Sequence, residues 1–370
     1  MRIKIYTASL VLCFAQHLAF PFKSFSQAAK TRIAIVGLNH DHVWELLRYI
    51  QNEPQADLVG IADNHPDLVE KAKSQVPQTV KFYSDYVEML DQARPQAVFV
   101  TTENDRHLEI LRQCARRHIH YSTEKPMAGN AAEAREMQHL AEEANIHLMV
   151  NYWNVWTPST HELLHRVKSG DIGAISRISV VYGHEGPREI GVSREFAEWL
   201  YDPAKNGGGA IMDFGCYGAE LALWLKGRPT RVFATTAKLK TEQHNRVDDD
   251  ATIVLEYPDG SATIQPSWDW PYTMDRTYVF GSKGGLLSTR DGLFLRLSSA
   301  AATPTAIDGE PVTLGALSHE TSNPIAYLID HIRTNQPIED PLSAGLNVRV
   351  MEILDAARES VRTGQAKELR

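Results

Sequence analysis

Thr31-Arg32-Ile33-Ala34-Ile35-Val36-Gly37 is an apolar run that closes on a glycine, the pattern of a central parallel strand covered on both faces. The period changes after it: His42-Val43-Trp44-Glu45-Leu46-Leu47-Arg48-Tyr49-Ile50 has helical spacing. Leu58 to Asp63 reads as a second strand ending in an acid, and Asp67 to Ser74 as a helix. Ala97 to Val100 is a short apolar strand closed by Thr101-Thr102, and His107 to Arg117 is the next helix. His118 to Thr123 leads into Glu124-Lys125-Pro126-Met127, a strand end that turns under proline into a helix starting near Asn130. Strands alternating with helices of about ten residues specify a doubly wound parallel sheet of Rossmann-like type, here over residues 31–150.

Such sheets bind ligands at the carboxyl ends of their strands. A dinucleotide's pyrophosphate would lie on the turn after the first strand, where three glycines are usual. This chain has Gly37-Leu38-Asn39-His40-Asp41-His42, so Asn39 and His42 stand where the second and third glycines are expected. An ordinary strand–helix turn capped by Asn39 accounts for the same residues. Asp63 is placed to accept the adenosine ribose hydroxyls and to repel a 2′-phosphate, which favours NAD over NADP. Proline disfavours helical backbone in the residue before it, so Lys125 is expected to be extended and to point into the crevice. His40 and His42 offer two metal-type ligands, but no third stands at suitable spacing, so no metal is expected.

From Ile175 the pattern changes to consecutive strands separated by turns: Ser176 to Tyr182, Arg231 to Leu239, Asp250 to Tyr257, Ser261 to Trp268 and Arg276 to Phe280. They predict an open, mostly antiparallel sheet in a C-terminal α+β domain, residues 151–364, serving substrate binding and oligomerisation. Gly207-Gly208-Gly209 suits a place where backbone passes close to a ligand before a helix over 210–225. On that helix Asp213 and Tyr217 are four apart and share a face. His184 and Arg188, in the loop before the triple glycine, are candidate substrate contacts. Trp268, in Trp268-Asp269-Trp270, is a candidate platform for a sugar face; covering the sheet or a subunit interface explains it equally.

Residues 1–26 have the features of a secretory signal peptide: a basic start at Arg2 and Lys4, an apolar stretch from Tyr6 to Phe20, and small residues at Ser24 and Ser26. An exported, periplasmic protein with no membrane association after cleavage is expected. Cleavage takes Arg2, Lys4 and Lys23 and no acid, so the net charge falls by three from −8 to −11. An acidic surface without basic runs argues against nucleic acid as partner. Cys114 and Cys216 are too few for a disulfide scaffold and are expected to be buried thiols.

Five segments in order, Gly37 to His42, Thr102-Glu103-Asn104-Asp105-Arg106-His107, Glu124-Lys125-Pro126, His147 to Tyr152 and Ala356 to Gly364, together with Gly207 to Tyr217, resemble the Gfo/Idh/MocA family of nicotinamide-dependent oxidoreductases. The chain departs from that pattern at Glu103, where proline is usual, and after Tyr152, where an arginine is often found. The resemblance implies NAD held by Gly37, Asn39, His40, Asp63, Thr102, Asn104, His107, Glu124 and Lys125, a homo-oligomer, and oxidation of a hydroxyl of a sugar or glycoside. It also implies that Lys125, Asp213 and Tyr217 together face the nicotinamide, Tyr217 standing where histidine is common. A phenol of pKa about 10 becomes a base only if a cation such as Lys125 favours phenolate. Two other functions fit the same residues: redox-neutral glycoside cleavage with tightly bound NAD, and a secreted carbohydrate-binding protein that has lost the cofactor.

Overall fold

The computed structural model describes residues 29–240, 246–298 and 309–369; the expected signal segment 1–26 lies outside them. The first sheet comprises β1 (Thr31–Val36), β2 (Ala56–Ala62), β3 (Lys81–Tyr83), β4 (Ala97–Val100), β5 (His120–Glu124) and β6 (Leu148–Asn151). All pairings are parallel, in the order β3-β2-β1-β4-β5-β6. The apolar run that opened the reading is the centre of this sheet, and Ile33 and Ile35 are fully buried. Strand order reverses between β1 and β4, so the loops leaving these two strands flank the crevice. The helix Val43–Asn52 buries Val43, Leu46, Leu47 and Ile50, the stripe its spacing predicts.

The second sheet follows: β7 (Ile175–Gly183), β8 (Arg231–Ala237), β9 (Asp250–Tyr257), β10 (Gly260–Ser267), β11 (Met274–Gly281), β12 (Gly284–Thr289), β13 (Gly292–Leu297), β14 (Glu310–Pro311) and β15 (Lys367–Glu368). Its order is β14-β13-β12-β11-β7-β10-β9-β8-β15, antiparallel except where β7 meets β10. The helix Gly215–Lys226 packs on one face of β7 and β10. On the opposite face, alternation along β8 and β11 turns Phe233 and Phe280 outward. The long helix Ala344–Thr363 packs against both β8 and the first domain's helix Ala131–Ala144. Just before it, Leu342 accepts a bond from the Val150 amide (3.0 Å) and Ser343 bridges to Met149, which covers the β6 edge of the first sheet. Cys114 and Cys216 are buried free thiols, each pushed by burial up to about 12.

Candidate functional site

Lys125 leaves the end of β5 with its side chain buried (4% exposed). Its ammonium donates to the carboxylate of Asp213 and, at 3.0 Å, to the Asp213 carbonyl. That carbonyl has no helical amide because the expected helix breaks: Ala210–Asp213 and Gly215–Lys226 are separate pieces divided at Phe214, and the Cys216 thiol, at 3.1 Å, is its other donor. The other Asp213 carboxylate oxygen accepts from Trp268 Nε1 at 2.9 Å. Burial opposes charge on Lys125, but the Asp213 carboxylate outweighs it, so the lysine titrates above its ordinary value. By the same balance burial pushes Asp213 up, Lys125 pulls it down further, and the acid ends below its usual range.

The triple glycine serves backbone packing. Gly207 takes φ +86°, and a Cβ on Gly209 would sit 1.8 Å from the Asp248 carbonyl. Asp248 receives the amides of Gly209 (2.9 Å) and Ile211 (2.7 Å) on its two oxygens, fixing the short helix that carries Asp213. At Gly209 the expected close ligand is therefore replaced by the Asp248 loop that leads into β9.

Beside the pair lies a cavity of about 600 Å³ lined by Lys125, Asp213, Phe214, Tyr217, Tyr182, His184, Asp275 and Arg290, with Tyr49 of the first domain and Trp153 and Trp156 just after β6. Tyr217 is beneath the ammonium, its ring centroid 5.0 Å from Lys125 Nζ. Burial raises its pKa well above the ordinary phenol value, so Tyr217 is a neutral phenol, and the lysine charge meets the ring face. His184 Nδ1 accepts the Gly186 amide at 2.9 Å, and burial holds the imidazole below its usual pKa. A neutral ring with its proton on Nε2 offers a hydrogen-bond donor at the cavity wall.

On the other side of the Gly37–His42 loop is a second cavity, of about 430 Å³, lined by Gly37, Asn39, Asp63, His65, Thr102, Glu103, Arg106 and Lys205. Gly37 has φ +89°, and a Cβ there would meet Thr102 Cγ2 at 2.4 Å. Asp63 Oδ2 accepts from the Leu38 amide (2.6 Å) and Oδ1 from the His65 amide (2.6 Å), with His65 Nδ1 2.8 Å from the same oxygen, which anchors the carboxylate and leaves a lone pair on Oδ2. The Oδ1 atoms of Asn39 and Asn104 are buried without a hydrogen-bond partner. A bare-backbone glycine, an anchored acid and the orphaned Asn39 oxygen are a lining that would fit the adenosine end of a dinucleotide.

A segment of the second domain crosses between the two cavities. Ser193 N donates to Asp41 (2.6 Å), Phe196 packs on His40 (4.3 Å between ring centroids), and Trp199 Nε1 donates to Asn39 O (2.9 Å). Farther along, Lys205 pairs with Glu103 (3.1 Å) and Asn206 accepts from Asn104 Nδ2 (2.8 Å). Sequence spacing gave no sign of this strap, because its contacts join residues up to 160 positions apart.

Several expected site residues stand elsewhere. His107 is fully buried, bonded through Nδ1 to the Met127 carbonyl (3.1 Å), and supports the turn after Lys125. Glu124 lies beneath the loop, with Oε1 on Asn151 Nδ2 (2.7 Å) and Oε2 on His42 Nδ1 (2.8 Å). Arg188 lines neither cavity; its guanidinium covers the Tyr201 ring, 4.3 Å from the centroid. Trp268 has no exposed face for a sugar, because Tyr201 packs across it and Asp213 takes its N–H. His40, His42 and Glu124 each place a potential metal-ligand atom within 4.8 Å of the others, so the fold supplies the third group absent at short spacing.

Residues 31–152 match the oxidoreductase family with an NAD-binding Rossmann fold, and residues 160–287 match the GFO/IDH/MocA C-terminal domain. A D-xylose 1-dehydrogenase (NADP+) of Haloferax volcanii is 28% identical over 296 residues, 78% of this chain and 84% of its own length. A myo-inositol 2-dehydrogenase of Thermotoga maritima is 26% identical over 265 residues, 70% of this chain and 75% of its own. The aldose-aldose oxidoreductase of Caulobacter crescentus superposes with TM-score 0.77 at 20% identity, covering 92% of this chain and all (100%) of the other. The matched families span both sheets and the Lys125–Asp213 pair between them: the chain belongs to the Gfo/Idh/MocA family and is an oxidoreductase.

Proposed function

We propose that this enzyme oxidises a hydroxyl of a sugar or glycoside with NAD, using Lys125, Asp213 and Tyr217. The buried Lys125–Asp213 pair at the wall of the 600 Å³ cavity carries the reading. Named relatives that act on xylose and myo-inositol agree with a polyhydroxy substrate. When bound, the dinucleotide supplies a hydride acceptor. The chain's residues do the rest. A substrate hydroxyl against Lys125 Nζ passes its proton to the amine as another proton moves from Nζ to Asp213 Oδ1. Trp268 holds the second carboxylate oxygen, Tyr217 supports the ammonium through its ring, and His184 Nε2–H donates to a neighbouring hydroxyl.

The strap over Asn39 and His40 supports a cofactor that is retained through the cycle. Export directed by residues 1–26 agrees, since a compartment poor in free NAD favours a closed redox cycle. Outward Phe233 and Phe280 support a homo-oligomer formed on the open sheet face. The test is a panel of sugars and glycosides incubated with purified enzyme, with and without added NAD, and read by mass spectrometry. A product two hydrogens lighter in proportion to NADH establishes the dehydrogenase; cleavage without added NAD establishes the closed cycle. No change in any substrate rejects both.

A further inference from the structure

We infer that His40, His42 and Glu124 form a binding site for a divalent transition-metal ion beside the substrate cavity. The three residues come from the β1 loop and the end of β5, and their donor atoms lie within 4.8 Å of one another. Bonds of about 2.1 Å at tetrahedral angles put donors roughly 3.4 Å apart, so small side-chain rotations close the site. Two imidazoles and one carboxylate are the donor set suited to Zn²⁺ and its neighbours among first-row ions.

Two further observations point the same way. Glu124 is 1% exposed, and among the described residues its charge partner is His42, at 2.8 Å. Among the described residues this buried carboxylate is bonded to no Lys or Arg, and Lys125 next to it is already taken by Asp213. Moreover, His42 Nδ1 is also 2.6 Å from Trp153 Nε1. An indole N–H only donates and a carboxylate only accepts, so one ring nitrogen with one proton cannot satisfy both. A cation accepted by that nitrogen and Glu124 Oε2 removes the conflict once the indole turns away.

The surroundings also resemble the outer shell of a metal centre. Asn151 holds Glu124 Oε1, and Trp156 Nε1 holds Asn151 Oδ1 at 2.8 Å, which aims Oε2 at His42. His40 is clamped by Phe196 and Trp199, which holds its imidazole in place. His42 alone of the three lines the 600 Å³ cavity, so an ion held here has an open side toward substrate.

Ion content can be read without turnover, so the test is independent of the proposed reaction. Full-length protein, stripped with chelator, is equilibrated with Zn²⁺, passed through a desalting column and analysed by mass spectrometry for metal. One equivalent per chain is expected, falling at least tenfold in His42→Gln and in Glu124→Gln. Should either variant fail to fold by circular dichroism, Co²⁺ added to wild type is expected to give visible ligand-field bands that one equivalent of Zn²⁺ abolishes. Wild type without stoichiometric metal, folded variants that keep it, or a Co²⁺ spectrum identical to that of free ion would each overturn the inference.

Discussion

Trp268 donates its indole N–H to Asp213 Oδ2 at 2.9 Å from a fully buried position, leaving Oδ1 to Lys125. The indole thus sets which carboxylate oxygen the lysine meets. Trp268→Phe keeps most of the ring and deletes the donor. A bond to a charged group is worth about 1.5–3 kcal/mol, so kcat is expected to fall about 10- to 100-fold. Losing this donor also raises the Asp213 pKa, so the acid limb of the kcat–pH profile should move upward. An unmoved limb would mean the tryptophan only packs.

Lys125→Met and Asp213→Asn are each expected to lower turnover by about 10²-fold or more. Their double variant should be little worse than either alone, because the two side chains act as one unit. Tyr217→Phe keeps a ring under the ammonium and should cost less than about 10²-fold. A loss as large as that of Lys125→Met would return the base role to the phenol.

The anchored Asp63 carboxylate predicts tighter binding of NAD than of NADP, measured by calorimetry on cofactor-free protein. Asp63→Ser should narrow the gap. Removing the strap's contact with Trp199→Ala should speed NAD release, followed by fluorescence, at least about tenfold, since losses of contact appear mainly in off-rates. Unchanged release would exclude the strap as the barrier.

Glu220 is buried, its carboxyl pushed by burial up to about 8, with Asn154 Nδ2 at 3.3 Å as a weak partner. The folded pKa lies above the unfolded value. The stability it contributes is therefore complete below the unfolded carboxylate range and is lost as pH rises through about 8. Glu220→Gln should unfold at higher denaturant above pH 9, by on the order of 4 kcal/mol, with far less effect at pH 5. His107, lowered by burial to about 4, acts oppositely: stability falls as pH drops from 6.5 toward 4.

Runs such as Ala97–Val100 and Thr31–Val36 were legible because a strand buried on both faces has no polar alternation to confuse it. β3, β14 and β15 were not; each has two or three residues at or near a sheet edge, too few for any period. The proline after Lys125 and the i,i+4 spacing of Asp213 and Tyr217 were local signals, but only the family-like motifs joined them into one site. The role of Asp248, the cover of Phe196 and Trp199, and the lining by Asp275 and Arg290 depend on long-range contacts that periodicity does not report. Gly207-Gly208-Gly209 was read as close approach to a ligand, and at Gly209 a ligand is not what is near. The partner was Asp248 backbone, because glycine records only that something is near.

The strap and the closing helix have a consequence for dissection of the molecule. The first domain is contiguous in sequence, yet it is not autonomous. A fragment ending at Asn151 would bare His40 where Phe196 and Trp199 cover it. It would also open the β6 edge that Leu342 and Ser343 close, and strip the Ala131–Ala144 helix of its long neighbour. Unpaired strand edge and newly wetted apolar surface together favour aggregation. Limited proteolysis should therefore cut at surface loops without releasing a soluble nucleotide-binding half.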